Sequence, residues 1–301
     1  MAKDHLSPAN LFSHVEDAEY FHVPRLLVPK DWHGHINIPQ PFELEKPLIS
    51  VDTGDPLIDN NIKPLDLRIT KFMVLELVAA VIVAVFFITL ARHLRGGNHP
   101  RGRLWNALEV MLLFLRDQVA RPCIGKHGAD KFMPFLWTMF FFVLGCNLFG
   151  MIPWMGSPTG ALATTGMLAL ITFVVVVGSG MAKLGAVGFW KAQVPSMDLP
   201  LLIAIPLVPL IFLIEIAGLF IKHGVLAVRL LANMMAGHVV LAVLVGFIGA
   251  TYGLAAWWGV MPLSVVGATA LSLLELFVAF LQAYIFTFLS ALFIGMAVHP
   301  H

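Results

Sequence analysis

LLIAIPLVPLIFLIEIAGLFIKHGVLAVRLLANMMAGHVVLAVLVGFIGA, residues 201–250, is a run of almost unbroken apolar sequence. A bilayer core about 30 Å thick is crossed by about 20 helical residues, so this run is long enough for a membrane span and too long for a simple one. Inside it sits Arg229, followed by Asn233 and His238. An arginine at the centre of a bilayer helix costs roughly 2.5–3.5 kcal/mol on insertion scales. The fold must give that cation surroundings other than lipid.

The rest of the chain agrees that the solvent is a membrane. Of 301 residues, 58% are hydrophobic and 12% charged, against about 25% charged in soluble domains. Residues 1–68 hold 11 Asp/Glu and 6 Lys/Arg, whereas 132–301 hold only Lys183, Lys191, Lys222, Arg229, Asp198, Glu215 and Glu275. So few charges over so long a stretch make each a candidate for function. Between these parts lies a basic stretch from Arg92 to Lys131. The near-neutral total argues against a nucleic-acid binder. Cys123 and Cys146 form no CxxC or disulfide framework and read as free thiols.

Residues 1–67 lack a signal-peptide core and the acid-poor character of a transit peptide, and read as a loop-rich, extracytoplasmic acidic tail. Its His14, His22, His33 and His35 match no standard metal spacing. The membrane domain is expected over 68–301. Its first span, near 70–92, ends on Arg92 and Arg95, which places the basic loop in the cytoplasm and the N-terminus outside. In that loop 103–122 has helical apolar spacing broken by Glu109, Arg116 and Asp117, and is expected as an amphipathic helix on the membrane surface. Segments 132–154 and 161–183 form a helical hairpin around MGSPTG. Stretches 224–250 and 262–298 would be about 40 and 55 Å long as helices, which calls for strong tilt or kinks. Pro206 and Pro209 leave open whether 201–250 crosses once or twice. The expected fold is an all-α membrane protein of five to six transmembrane or steeply tilted helices plus one surface helix.

At about 100° per residue, Ala232, Asn233 and Ala236 share Arg229's stripe, a face of small side chains suited to a closely approaching partner. His238 falls on the opposite side. Glu275 and Gln282, seven residues apart, share one face of the last helix. Glu215 is a third intramembrane acid. Isolated imidazoles and carboxylates in apolar helices are the usual material of proton relays. Arg229 could instead form a structural ion pair with Glu215 or Glu275, Asn233 could be interhelix glue, and Glu275 could pair with His238. His238 reads as the one histidine clearly within a span.

RLLANMMAGH (229–238), ELFVAFLQAYIFTFL (275–289) and CNLFGMIPW (146–154) together resemble subunit a of the F-type ATP synthases. The resemblance covers roughly 70–298 and implies five crossings, with 201–250 as one kinked passage. It implies long tilted helices over 201–298 against a rotating ring of c subunits, and a subunit b stalk, lipid and protons as further partners. No cofactor or metal is expected. By position, Arg229 matches the family's essential arginine, Asn233 its neighbour, Gln282 the glutamine of the adjacent helix and Glu215 a familiar acid. His238 and Glu275 exchange an acid and an imidazole found in some bacterial members. Asn147 matches a polar position, while Gly150 stands where some members place an acid. The implied mechanism is proton entry through an outer half-channel near Asn147, Glu215, His238 and Glu275, with Arg229, Ala232, Asn233 and Ala236 facing the ring. The acidic tail favours a bacterial inner membrane over an organelle. A secondary transporter with a buried arginine for an anionic substrate is the main alternative, but the paired repeats and broken helices of such folds are not seen. HExxH and other enzyme motifs are also missing, so no catalytic residue is expected.

Overall fold

The computed structural model describes residues 18, 20–22, 35–40, 69–95, 102–152, 155–193 and 201–299. His14, His33 and the side chains of His22 and His35 fall outside the described residues, as does most of the tail. The described part of the tail holds a short antiparallel ribbon, β1 (Tyr20–His22) with β2 (His35–Asn37), Phe21 opposite Ile36. The Gln40 side chain holds the tail to the membrane domain by donating to the Ile69 carbonyl at 2.9 Å and accepting from its N–H at 2.8 Å. The Lys71 amide donates to the Ala18 carbonyl. A three-residue ribbon gives too short an alternation to be legible in the sequence.

The membrane domain is helical: α1 (Lys71–Arg95), α2 (Arg103–Phe114), α3 (Arg121–Ile124), α4 (Lys126–Gly150), α5 (Leu162–Leu184), α6 (Ala186–Ala192), α7 (Leu201–Ala250) and α8 (Trp257–Val298). Among the described residues, five helices are long and apolar enough to cross a membrane. The run 201–250 is one continuous helix, which settles its passage as single. Pro206 and Pro209 fall within its first three turns and leave two carbonyls there without helical donors. At 1.5 Å per residue α7 and α8 are about 75 and 63 Å long, so crossing a core of about 30 Å requires tilts on the order of 60°.

These two helices run antiparallel. Gly267 meets Leu244, Gly237 meets Glu275, and the His223 ring meets Phe293, pairs whose numbers sum to a nearly constant value. Behind them α4, α5 and the segment before α3 supply the core, with Leu115, Leu136, Val143, Leu230 and Ile294 almost wholly buried. Outward apolar faces stay open, Leu77, Val81 and Val85 on α1 and Val228, Leu274 and Phe277 on α7 and α8. Such faces suit a lipid solvent or a partner.

The expected surface helix at 103–122 is more broken and more embedded than its periodicity implies. Between α2 and α3, Leu115–Ala120 forms a π-helical segment, and the Arg121 amide reaches back to the Arg116 carbonyl. Pro122 supplies no N–H and crowds the preceding turn, which disfavours the ordinary four-residue register there. The widened turn buries Leu115, Val119 and Ala120. Trp137 of α4 donates its indole N–H to the Leu112 carbonyl at 3.2 Å, and Gly295 of α8 lies directly against the Cys123 carbonyl. The segment is thus a bracket under the bundle.

Candidate functional site

α7 meets α8 at Gly237. A Cβ there would come within 2.6 Å of Glu275 Oε1, so the glycine leaves the space that the carboxyl fills. Glu275 is buried, and its Oε1 has no hydrogen-bond partner among the described residues. His238, next along α7, likewise holds a buried Nε2 without a partner. No hydrogen bond or ion pair joins the two among the described residues, so the alternative of a structural pair is not seen there, although the helix crossing brings both to one level. Each keeps a free atom able to take or give a proton.

Asn147 extends this cluster onto α4. It is fully buried, donates from Nδ2 to the Ala279 carbonyl at 3.2 Å, and accepts at Oδ1 from Thr159 at 2.8 Å. Ala279 lies one turn beyond Glu275 on α8. The Thr159 hydroxyl also pairs with Ser157 at 2.9 Å. Gly150 has no room for the acid that the resemblance places there in some members, because a Cβ would lie 2.6 Å from Ser157 Oγ. The Ser157–Thr159–Asn147 chain takes that space.

Arg229 is half-buried and makes no ion pair or hydrogen bond among the described residues. The structural pairing with Glu215 or Glu275 is therefore absent. Glu215 lies instead 3.5 Å from Lys222 Nζ. In one unbroken helix Glu215 stands about 21 Å before Arg229 and His238 about 13 Å after it. The two therefore lie on opposite sides of the arginine along α7. Gln282 is buried and, by the antiparallel register, comes within about a turn of Arg229's level. Ala232 and Ala236 are exposed on Arg229's stripe, and Asn233 is half-buried beside them.

Three residues were missed in the sequence. Glu76 of α1, one acid in an otherwise apolar span, accepts a 2.6 Å bond from the Thr164 hydroxyl of α5. His223 also lies within a span, correcting the reading of His238 as the one intramembrane histidine. Its place beside Lys222 made it look like the end of a helix. Gly237 carried no signal of its own, since its meaning is a contact with Glu275.

The family model for the ATP synthase A chain matches residues 73–295. A Myxococcus xanthus protein named ATP synthase subunit a is 43% identical over 240 residues, covering 79% of this chain and 76% of its own. One of the same name from Chloroherpeton thalassium is 42% identical over 238 residues, 77% of this chain and 67% of that one. A third, from an Anaeromyxobacter species, is 35% identical over 303 residues, 97% of this chain and 71% of its own.

Proposed function

The chain belongs to the ATP synthase A chain family, and from that premise we propose that Arg229 divides two half-channels that deliver protons to a rotating c-ring and take them away. As a family member it is a multi-pass, non-catalytic proton-channel subunit of the F-type ATP synthase membrane sector. The outer half-channel is formed by Asn147, His238 and Glu275, and Glu215 belongs to the other half. Arg229, Ala232, Asn233 and Ala236 face the ring, with Gln282 supporting the arginine, and a subunit b stalk holds the assembly still. The basic stretch 92–131 supports a cytoplasmic loop, a cytoplasmic C-terminus and an outside N-terminus, in a bacterial inner membrane.

The observation that carries this reading is Arg229 in the middle of α7, unpaired among the described residues, with His238 and Glu275 on one side and Glu215 on the other. A guanidinium stays protonated throughout the physiological range. It stabilises an ionised carboxylate arriving on the ring and repels a proton that would pass straight from one half-channel to the other. One elementary charge crossing 100 mV releases about 2.3 kcal/mol. That free energy turns the ring only while the short cut is closed. The test is ATP-driven proton pumping by the whole synthase in inverted vesicles. Arg229→Ala should reduce pumping to background with the complex still assembled, and normal pumping in that variant would overturn the assignment.

A further inference from the structure

We propose that His223 is a second protonatable relay, serving the half of the pathway on the far side of Arg229 from His238; this rests on the half-channel reading above. The His223 side chain is 4% exposed and sits where α5, α7 and α8 meet. Its ring lies edge-on to Phe173 at 5.3 Å and tilted against Phe293 at 5.0 Å. Nδ1 is 2.8 Å from the Leu219 carbonyl. A carbonyl only accepts, so in the neutral ring Nδ1 carries the hydrogen and the lone pair is left on Nε2. That Nε2 is buried without a partner among the described residues.

A phenylalanine would fill the gap between Phe173 and Phe293 without stranding a polar atom in an apolar interior, which is a costly arrangement. The placement along α7 gives the stranded nitrogen a use. His223 lies about 9 Å from Arg229 toward the start of the helix, and His238 about 13 Å toward its end. The two imidazoles fall within about 60° of each other on the inward face, so they bracket the arginine from either side. Each holds a buried, unpartnered Nε2. Of the charged groups around His223, Lys222 is the next residue and its charge acts on the imidazole, while the others are engaged elsewhere or distant. On α7, Lys222 pairs with Glu215, and Arg229 sits at about 120° around the helix from His223. On α5, Lys183 bonds His299 at 3.3 Å, just past the end of α8. On α8 itself, Glu275 lies at Gly237, far along the helix. In the step proposed, a proton released by a ring carboxyl reaches Nε2 through water, the ring becomes an imidazolium held by its Nδ1–H bond, and Nε2 returns the proton to water on the face bearing Lys183.

The test uses the whole synthase carrying His223→Phe, which keeps the ring packing, and His223→Gln, which keeps a polar side chain that cannot titrate. A relay requires passive proton conduction through the membrane sector to fall at least about tenfold in both variants. It also requires conduction to lose its dependence on the pH of the Lys183 face while keeping its dependence on the pH of the other face. Wild-type conduction and an unchanged pH profile in His223→Phe would reduce His223 to packing and overturn the proposal. Should neither variant assemble, the imidazole 15N resonances of wild-type His223 decide. Resonances that titrate with the pH of the Lys183 face support the relay, and resonances fixed on one neutral tautomer refute it. Arg229→Ala measured alongside separates the two ideas: normal pumping there would fell the half-channel reading, whatever His223 does.

Discussion

At the scale of single residues, the decisive contact is one that a glycine permits. Gly237 meets Glu275 so closely that an added methyl would lie 2.6 Å from Oε1. Overpacking of this kind costs about 1–3 kcal/mol, and here the group that must yield is the proposed proton carrier. Gly237→Ala should cut ATP-driven pumping roughly tenfold or more, as Glu275→Gln should also do. Shortening the carboxylate as well, in Gly237→Ala with Glu275→Asp, should recover part of the loss. Failure of that recovery in a complex that retains its ring would show that the crossing does more than seat the carboxyl. Arg229 and Asn233 were legible in the sequence because a charge or an amide in an apolar helix is anomalous wherever its neighbours are. Gly237 was not legible, since nothing local distinguishes it from the other glycines of the span. The Asn147–Thr159–Ser157 chain was half legible: the asparagine stood out, but its partners lie in a turn whose hydroxyls looked like ordinary loop residues.

At the scale of elements, the π-helical bracket carries an ion network that hydropathy does not reveal. Arg116 and Arg121 both hold Asp117, at 3.0 and 2.7 Å, and Arg121 reaches Asp130 at 3.8 Å. The hydrogen bond from Arg116 leads in holding the Asp117 carboxyl below the usual aspartate range, with the charges of Arg116 and Arg121 adding to it. A carboxyl depressed in the folded state stabilises the fold fully above its ordinary pKa, and that contribution is lost only as pH falls through the lowered value. Acidifying from about pH 7 to about pH 5, both above the ordinary aspartate value near 4, should therefore leave amide exchange across Arg121–Ile124 unprotected by no more than in the neutral protein. In Asp117→Asn exchange should be faster, and equally so at both pH values. A second consequence concerns the bracket's seat on α8. Gly295 abuts the Cys123 carbonyl, and burial pushes the Cys123 thiol pKa up, so the thiol is a poor nucleophile in place. Gly295→Ala should wedge α8 away and raise the maleimide labelling rate of Cys123 several-fold. An unchanged rate would mean that the contact relaxes without moving the bracket. Helical periodicity made 103–122 visible as a helix, but the register change at Pro122 depends on the backbone, which apolar spacing does not record.

At the scale of the whole molecule, the spans were legible because lipid imposes length and apolarity on every crossing, and the excess length of the last two helices already required their tilt. The single passage of α7 was open until the structure carried the helix through both prolines. What remains is orientation, on which the identity of the two half-channels depends. In the orientation proposed above, the basic residues between Arg92 and Lys131 lie in the cytoplasm, which would put β2 outside and α6 inside. Ile36 on β2 and Val187 on α6 are both well exposed, at 47% and 69%, and they lie at opposite ends of the bundle. In a chain with Cys123→Ser and Cys146→Ser, a cysteine at Ile36 should react with a membrane-impermeant maleimide in right-side-out vesicles and be protected in inverted ones. A cysteine at Val187 should show the reverse. Labelling of both from the same face would contradict the five-helix passage, since an odd number of crossings separates them: α1, α4 and α5. Exchanged labelling would keep the fold and invert the channel, making Glu275 and His238 the cytoplasmic pair and Glu215 and His223 the outer one.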